Sequence, residues 1–197
     1  MFQRLTRSDP DARNAVLNAL PKGGVGVEIG VWKGDFSARI LQAAKPQTLH
    51  LIDPWLVSDE ADRADEAWYG AGKVSQADMD RIHKQVTERF AQDIAAQRVR
   101  IHRAAAAEGM AGLPESSVDF VYVDGDHAYE AVRADLAAAF RATKPGGLIC
   151  CDDYLLGAWW GDGVVRAVHE FVLERSVIIQ AKQAAQIVLR KLSPAMA

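Results

Sequence analysis

Two clusters of aspartate and one histidine carry the chemistry this sequence offers. Asp124 closes the apolar run Val118–Val123, and His127 stands three residues further on, in Asp124-Gly125-Asp126-His127. Asp152 and Asp153 close a second apolar run, Leu148–Cys151. Between the runs lies a helical pattern, broken by Lys144-Pro145-Gly146-Gly147. Strand, helix and strand in this order form a β-α-β unit, whose crossover is right-handed and whose strands are parallel. Neighbouring parallel strands end on one sheet edge about 4.8 Å apart. Asp124, Asp152 and Asp153 are therefore expected to meet at one point, with His127 beside them. Carboxylates crowded in this way repel each other unless a cation or a proton sits among them.

The elements that must position this cluster can be read along the chain. Residues 9–20 form an expected N-terminal helix, stopped at Pro21-Lys22-Gly23-Gly24. Val25–Ile29 is a buried strand running into a glycine turn at Gly30 and Gly34, and a helix starts at Asp35. Strand, glycine loop and helix suit a nucleotide, because glycine lets a ligand approach the backbone. The spacing, G-x-E-x-G-x-x-x-G, is not the dinucleotide fingerprint G-x-G-x-x-G. Thr48–Ile52 is a second strand, and Asp53 at its end is placed to accept hydrogen bonds from a ribose diol. Leu56 to Gln76 is polar and suits a lid or substrate loop, and 77–96 reads as an amphipathic helix. The region around 56–96 is thus expected to be a lid or insertion within a single domain, 1–197. Val99–His102 is a third strand, and Arg103-Ala104 opens a small-residue segment against which a flat ring can lie. His50 and His102, in or beside strands, are read as structural. A helix at Val164–Glu174 and two final strands, Val177–Ile179 and Gln186–Leu189, complete the pattern. The expected architecture is an α/β, Rossmann-like, doubly wound sheet of seven strands, mostly parallel, with a terminal antiparallel β-hairpin.

Composition narrows the partners. A formal net charge of −3 and the absence of a basic tract argue against nucleic acid. No run approaches the roughly 20 apolar residues that span a membrane, and the first residues lack a signal-peptide core. Cys150 and Cys151 are adjacent on a strand and point to opposite faces, so they read as buried thiols in a reducing cytoplasm.

The order VEIG-x-x-x-G, IDPW, VDGDHAYEAVRADL, KPGGLICCDDY and GVVRAVHEF resembles the class I S-adenosylmethionine-dependent methyltransferases. More narrowly it is similar to the small family of the macrolide-sugar O-methyltransferases and the cephalosporin-biosynthesis methyltransferase. The resemblance runs from about Val25 to Phe171, and its specific part is the DGDH and DDY pair. It implies that Glu28, Gly30 and Gly34 carry the methionine part of S-adenosylmethionine. It implies Asp53 on the ribose and Arg103-Ala104 beside the adenine. It further implies that Asp124, Asp152 and Asp153 hold a divalent cation, usually Mg2+, and that His127 is the general base. A homodimer or higher homo-oligomer is implied as well. The chemistry suits these residue types: magnesium takes carboxylate and water oxygens, a metal-bound hydroxyl is acidified, and histidine can accept its proton.

The expected function is a metal-assisted O-methyltransferase acting on a small hydroxylated acceptor, a sugar or vicinal diol. Two other classes compete with it. One is an NAD-dependent oxidoreductase on a similar fold, against which the glycine spacing and the terminal hairpin speak. The other is a non-catalytic cofactor-binding protein, against which the Asp and His set speaks.

Overall fold

Short apolar runs bounded by glycine, proline and aspartate alternate with amphipathic helices, and each run becomes one strand of a common sheet. A computed structural model of the chain describes residues 10–57, 74–158 and 160–193. Five parallel strands come first: β1 (Val25–Ile29), β2 (Thr48–Asp53), β3 (Val99–Arg103), β4 (Val118–Val123) and β5 (Thr143–Cys151). The last two, β6 (Val177–Gln183) and β7 (Gln186–Lys191), form a hairpin, with β7 antiparallel to β5. The spatial order is β3-β2-β1-β4-β5-β7-β6. This is the expected seven-stranded Rossmann-like sheet with its terminal hairpin.

Among the described residues, seven helices cover the sheet: α1 (Pro10–Ala19), α2 (Asp35–Ala44), α3 (Gln76–Arg89), α4 (Ala91–Ala95), α5 (Ala106–Ala111), α6 (Tyr129–Ala142) and α7 (Gly163–Glu174). Strand alternation sends neighbouring side chains to opposite faces. Val121, Val123, Ile149 and Cys151 join one core, with Leu136 of α6 and Val168 of α7. Phe120, Tyr122, Leu148 and Cys150 join the other, with Leu17 of α1, Ile40 of α2 and Val86 of α3. Both cysteines are buried thiols on opposite faces, and burial pushes the Cys150 thiol up to about 12.

Two expected boundaries move. The helix expected over 77–96 divides into α3 and α4 at Phe90, which turns inward and is buried beside Gly34. A Cβ at Gly34 would lie 2.8 Å from that ring. Strand β5 begins at Thr143, not Leu148: Thr143 already pairs with Val118, and the ladder then shifts register before Phe120 pairs with Leu148, with Gly146 at φ +82° in the irregular stretch. Most of the expected lid, including Trp68, lies outside the described residues. Among the described residues, no helix is long and apolar enough to cross a membrane.

Strand order reverses between β1 and β4. In open α/β sheets the crevice beyond the carboxyl ends at such a point receives the ligand. Here that point is drawn tight: Gly30 has φ +85°, and a Cβ on it would lie 2.0 Å from the Asp124 carbonyl oxygen. Replacing Gly30 with Ala therefore forces β1 and β4 apart. We expect Gly30→Ala to lose about 3 kcal/mol or more in urea unfolding, since a left-handed conformation and overpacking both penalise the methyl group.

Candidate functional site

A cavity of about 850 Å³ opens at the reversal point, in the upper part of the roughly 300–1,000 Å³ range of small-molecule sites. Its wall includes Glu28, Gly30, Asp53, Asp124 and His127 from the sequence reading. Ala105 and Ala106, just past β3, also line it. The volume leaves room for a nucleoside cofactor and a small second substrate together.

The glycine loop is built around Asp53. Its Oδ2 accepts hydrogen bonds from the backbone N–H groups of Val31 (2.9 Å) and Trp32 (2.8 Å), and its Oδ1 accepts from Trp55 N (2.7 Å). The Trp55 indole N–H donates to the Trp32 carbonyl at 2.9 Å, closing the loop from the other side. Asp53 therefore first holds the loop on the end of β2. A carboxylate oxygen accepts two hydrogen bonds, so Oδ1 retains capacity for a ribose hydroxyl. Burial raises the Asp53 carboxyl, and the Trp32, Trp55 and Val31 amides work against that rise.

Glu28 is buried on β1, and Ser37 of α2 donates its hydroxyl to Glu28 Oε2. Burial pushes the Glu28 carboxyl up to about 8, with the Ser37 bond and Arg13 opposing. Burial thus favours the protonated form of Glu28.

The acids at the ends of β4 and β5 do meet, but a guanidinium joins them. Arg13 of α1 places Nη2 2.9 Å from Asp124 Oδ2 and also pairs with Asp152 Oδ2. The Tyr122 hydroxyl lies 3.1 Å from Asp152 Oδ2 and 3.0 Å from Gln186 Oε1. Gln186 of β7 donates its amide to Asp152 Oδ1, which also accepts from Asp153 N at 2.8 Å. Burial and then Asp152 push the Asp124 carboxyl well up, against the pull of Arg13. Burial disfavours the Arg13 charge, but Asp124, Tyr122 and Asp152 outweigh it, so Arg13 stays protonated.

Asp153 turns the other way. Its Oδ2 lies 2.5 Å from His127 Nε2, and both side chains are buried. Trp160 packs on the His127 ring with centroids 5.4 Å apart. The Asp126 carboxylate accepts from Ala128 N at 2.8 Å, which fixes the turn that carries His127. Helix α7 presses on the same turn: a Cβ at Gly163 would lie 2.3 Å from the His127 carbonyl oxygen.

A magnesium ion shared by Asp124, Asp152 and Asp153 requires their oxygens to converge. They do not: Asp124 and Asp152 face Arg13, and Asp153 faces His127. Among the described residues, no group of three or more His, Cys, Asp or Glu is arranged to hold a metal ion. These residues as arranged do not fit the expected cation.

Other expected positions shift in smaller ways. Arg103 pairs with Asp80 of α3 and donates to the Trp55 carbonyl at 3.3 Å. It braces α3, and the cavity wall beyond β3 is made by Ala105 and Ala106 in place of Arg103 and Ala104. Gly34, with φ +74°, turns the chain into α2 against Phe90. His50 and His102 pair across β2 and β3 at 2.9 Å, a structural role. Trp32 and Trp55 line the cavity, while Trp159 lies outside the described residues.

The sequence reading passed over Arg13, Tyr122, Gln186 and Asp135. Asp135 sits on α6 in the cavity wall, and burial, then Asp126, pushes it up to about 7. An acid among Val132, Leu136 and Ala139, in the buried stripe of that helix, is a readable anomaly. Arg13 gives no such signal, because it meets its partners only across 111 and 139 residues of chain.

The strand order and terminal hairpin are those of the class I S-adenosylmethionine-dependent methyltransferase fold. A family described as a methyltransferase domain matches residues 27–154, more than half of the chain, and this chain belongs to it. No curated protein sequence matches it. Among solved structures, a Streptococcus mutans protein described as a methyltransferase and solved with S-adenosylhomocysteine is 11% identical (TM-score 0.59; 98% of this chain, 100% of that one). A Thermotoga maritima S-adenosylmethionine-dependent O-methyltransferase is 14% identical (TM-score 0.59; 96% and 68%). A Clostridium thermocellum protein described as an rRNA methylase is 14% identical (TM-score 0.62; 97% and 99%). At such identities the likeness concerns the fold.

Glu28 yields a test. If a bound cofactor brings an α-ammonium to Glu28, it favours the carboxylate, and binding near pH 7 should expel a proton. Affinity for S-adenosylhomocysteine should then rise with pH and level off above about 8. Calorimetry at pH 7 in buffers of different ionisation enthalpy should report about one proton released, and none in Glu28→Gln. The empty protein should show the converse. Its folded state binds the extra proton between the ordinary carboxyl range and about pH 8, so stability falls as pH rises through that window. Glu28→Gln should therefore raise Tm at pH 8 while weakening cofactor binding.

Proposed function

We propose that this chain moves the methyl group of S-adenosylmethionine to an oxygen of a small hydroxylated acceptor of the sugar or diol class, with His127 as general base. The observation that carries this reading is the pairing of His127 with Asp153 at 2.5 Å, with His127 in the wall of the cavity that Glu28, Gly30 and Asp53 also line. The contact between His127 Nε2 and the Asp153 carboxylate orients the imidazole, as a carboxylate beside a histidine general base does.

The step balances simply. The acceptor oxygen forms the new C–O bond as the S–CH3 bond breaks, the electron pair of that bond passes to sulfur, and the hydroxyl proton passes to His127. The products are the methyl ether, S-adenosylhomocysteine and imidazolium. Asp153 stabilises the imidazolium, as a buried carboxylate does for a paired histidine. Positioning the two substrates in line supplies the rest of the acceleration. No divalent ion enters this scheme.

Calorimetric titration of S-adenosylhomocysteine should show binding in the micromolar range, and NAD should show none. A screen with radiolabelled S-adenosylmethionine against sugars and diols should then find the acceptor. His127→Ala should lower kcat by about 10²–10⁴-fold with cofactor affinity retained. Failure of S-adenosylhomocysteine to bind would remove the methyltransferase reading, and full turnover in His127→Ala would remove the base.

A further inference from the structure

The cleft between the ends of β4 and β5 has the acids of a cation site, and the chain fills it from within. Arg13 reaches it from α1, which is anchored in the core by Val16, Leu17 and Leu20. Its guanidinium pairs with Asp124 and Asp152 and lies 5.1 Å from the centre of the Phe36 ring. A guanidinium presents donors in a planar fork, remains charged in proteins, and sheds water more readily than a small hard cation. Magnesium needs about six oxygens in octahedral array. Here Asp152 is already engaged by Tyr122, Gln186 and Asp153 N, and Asp153 is committed to His127. The void between these acids is about 10 Å³, room for one water molecule at most.

We propose that Arg13 is the resident cation of this site. It is a positioning residue that neutralises Asp124 and Asp152, ties α1 to the ends of β4 and β5, and makes ligand binding in the cavity independent of divalent ions. The proposal rests on the methyltransferase reading of the same cavity, but the cation itself can be tested separately. Removing the guanidinium leaves two neighbouring carboxylates uncompensated, and such a pair recruits a cation. The protein should then gain a metal site that it lacks.

The experiment titrates Mn2+ alone into the full chain and into Arg13→Gln, following free Mn2+ by electron paramagnetic resonance, and measures S-adenosylhomocysteine affinity with and without EDTA. The wild-type chain should show no saturable Mn2+ binding, and its S-adenosylhomocysteine affinity should ignore EDTA. Arg13→Gln should bind one Mn2+ at least about tenfold more tightly, and adding Asp152→Asn should abolish the gain. Should Arg13→Gln fail to fold, Arg13→Lys replaces it, because its shorter stem stops the ammonium short of Nη2, the one nitrogen that meets both carboxylates. Mn2+ should raise the Tm of Arg13→Lys and leave that of the wild type unchanged.

Saturable Mn2+ binding by the wild type that Asp152→Asn removes would overturn the proposal. So would indifference to Mn2+ in both the wild type and the Arg13 variant. Loss of S-adenosylhomocysteine binding in every protein would instead strike the methyltransferase reading, while the Mn2+ titrations would still decide the role of Arg13.

Discussion

The guanidinium between two carboxylates governs the upper edge of this sheet. Parallel strands bring their ends together whatever residues they carry, and here both β4 and β5 end in aspartate. Buried acids side by side are costly, and an ion pair offsets that cost only when its remaining hydrogen bonds are made. The surroundings meet that condition. Arg13 supplies the charge, Tyr122 and Gln186 occupy Asp152, and Phe36 covers the guanidinium face. One pairing thus connects the first helix, the two central strands and the last strand.

The cofactor side of the cavity follows a related rule. Burial raises the carboxyls of Glu28, to about 8, and of Asp135, to about 7, and Asp53 is held by three backbone amides. The empty cleft therefore carries less negative charge than its count of acids suggests. S-adenosylmethionine is cationic at both sulfur and the α-amino group. A cleft with protonated acids can develop charge as that ligand arrives and stay nearly neutral without it. His127 lies apart from this arrangement, oriented by its own aspartate and braced by Trp160 and α7.

The sheet was legible in the sequence because each of its signals is local. Apolar runs of strand length, the turn at Gly30, the β-α-β spacing from Val118 to Cys151 and the paired runs at the end each follow from neighbouring residues. Asp124, Asp152 and His127 were legible for the same reason, since strand ends and crossover handedness fix where they go. What those acids bind was not. Arg13 sits on a short amphipathic helix among ordinary polar residues, and only the packing of α1 against α2 and β7 aims it at the acids. Arg103 stands at the end of β3, but its pairing with Asp80 on α3, 23 residues away in the chain, left no local signal. Phe90 divided an apparently continuous helix because burying its ring beside Gly34 outweighed helical continuity.

The hydrogen bond from Gln186 to Asp152 bears on how this protein is born. Arg13 leaves the ribosome before Asp124 and Asp152, and Gln186 after both. Strand β7 must then insert beside β5 before Asp152 gains its final donor. Folding that proceeds from the N-terminus during synthesis can dock α1 and order the glycine loop long before the acids are complete. Until the hairpin arrives, the nascent chain carries a finished cofactor loop beside an unfinished acidic edge. Competence of the cleft is thereby deferred until β7 has been made, and a chain truncated within the hairpin keeps most of the sheet but lacks the strand that secures Asp152.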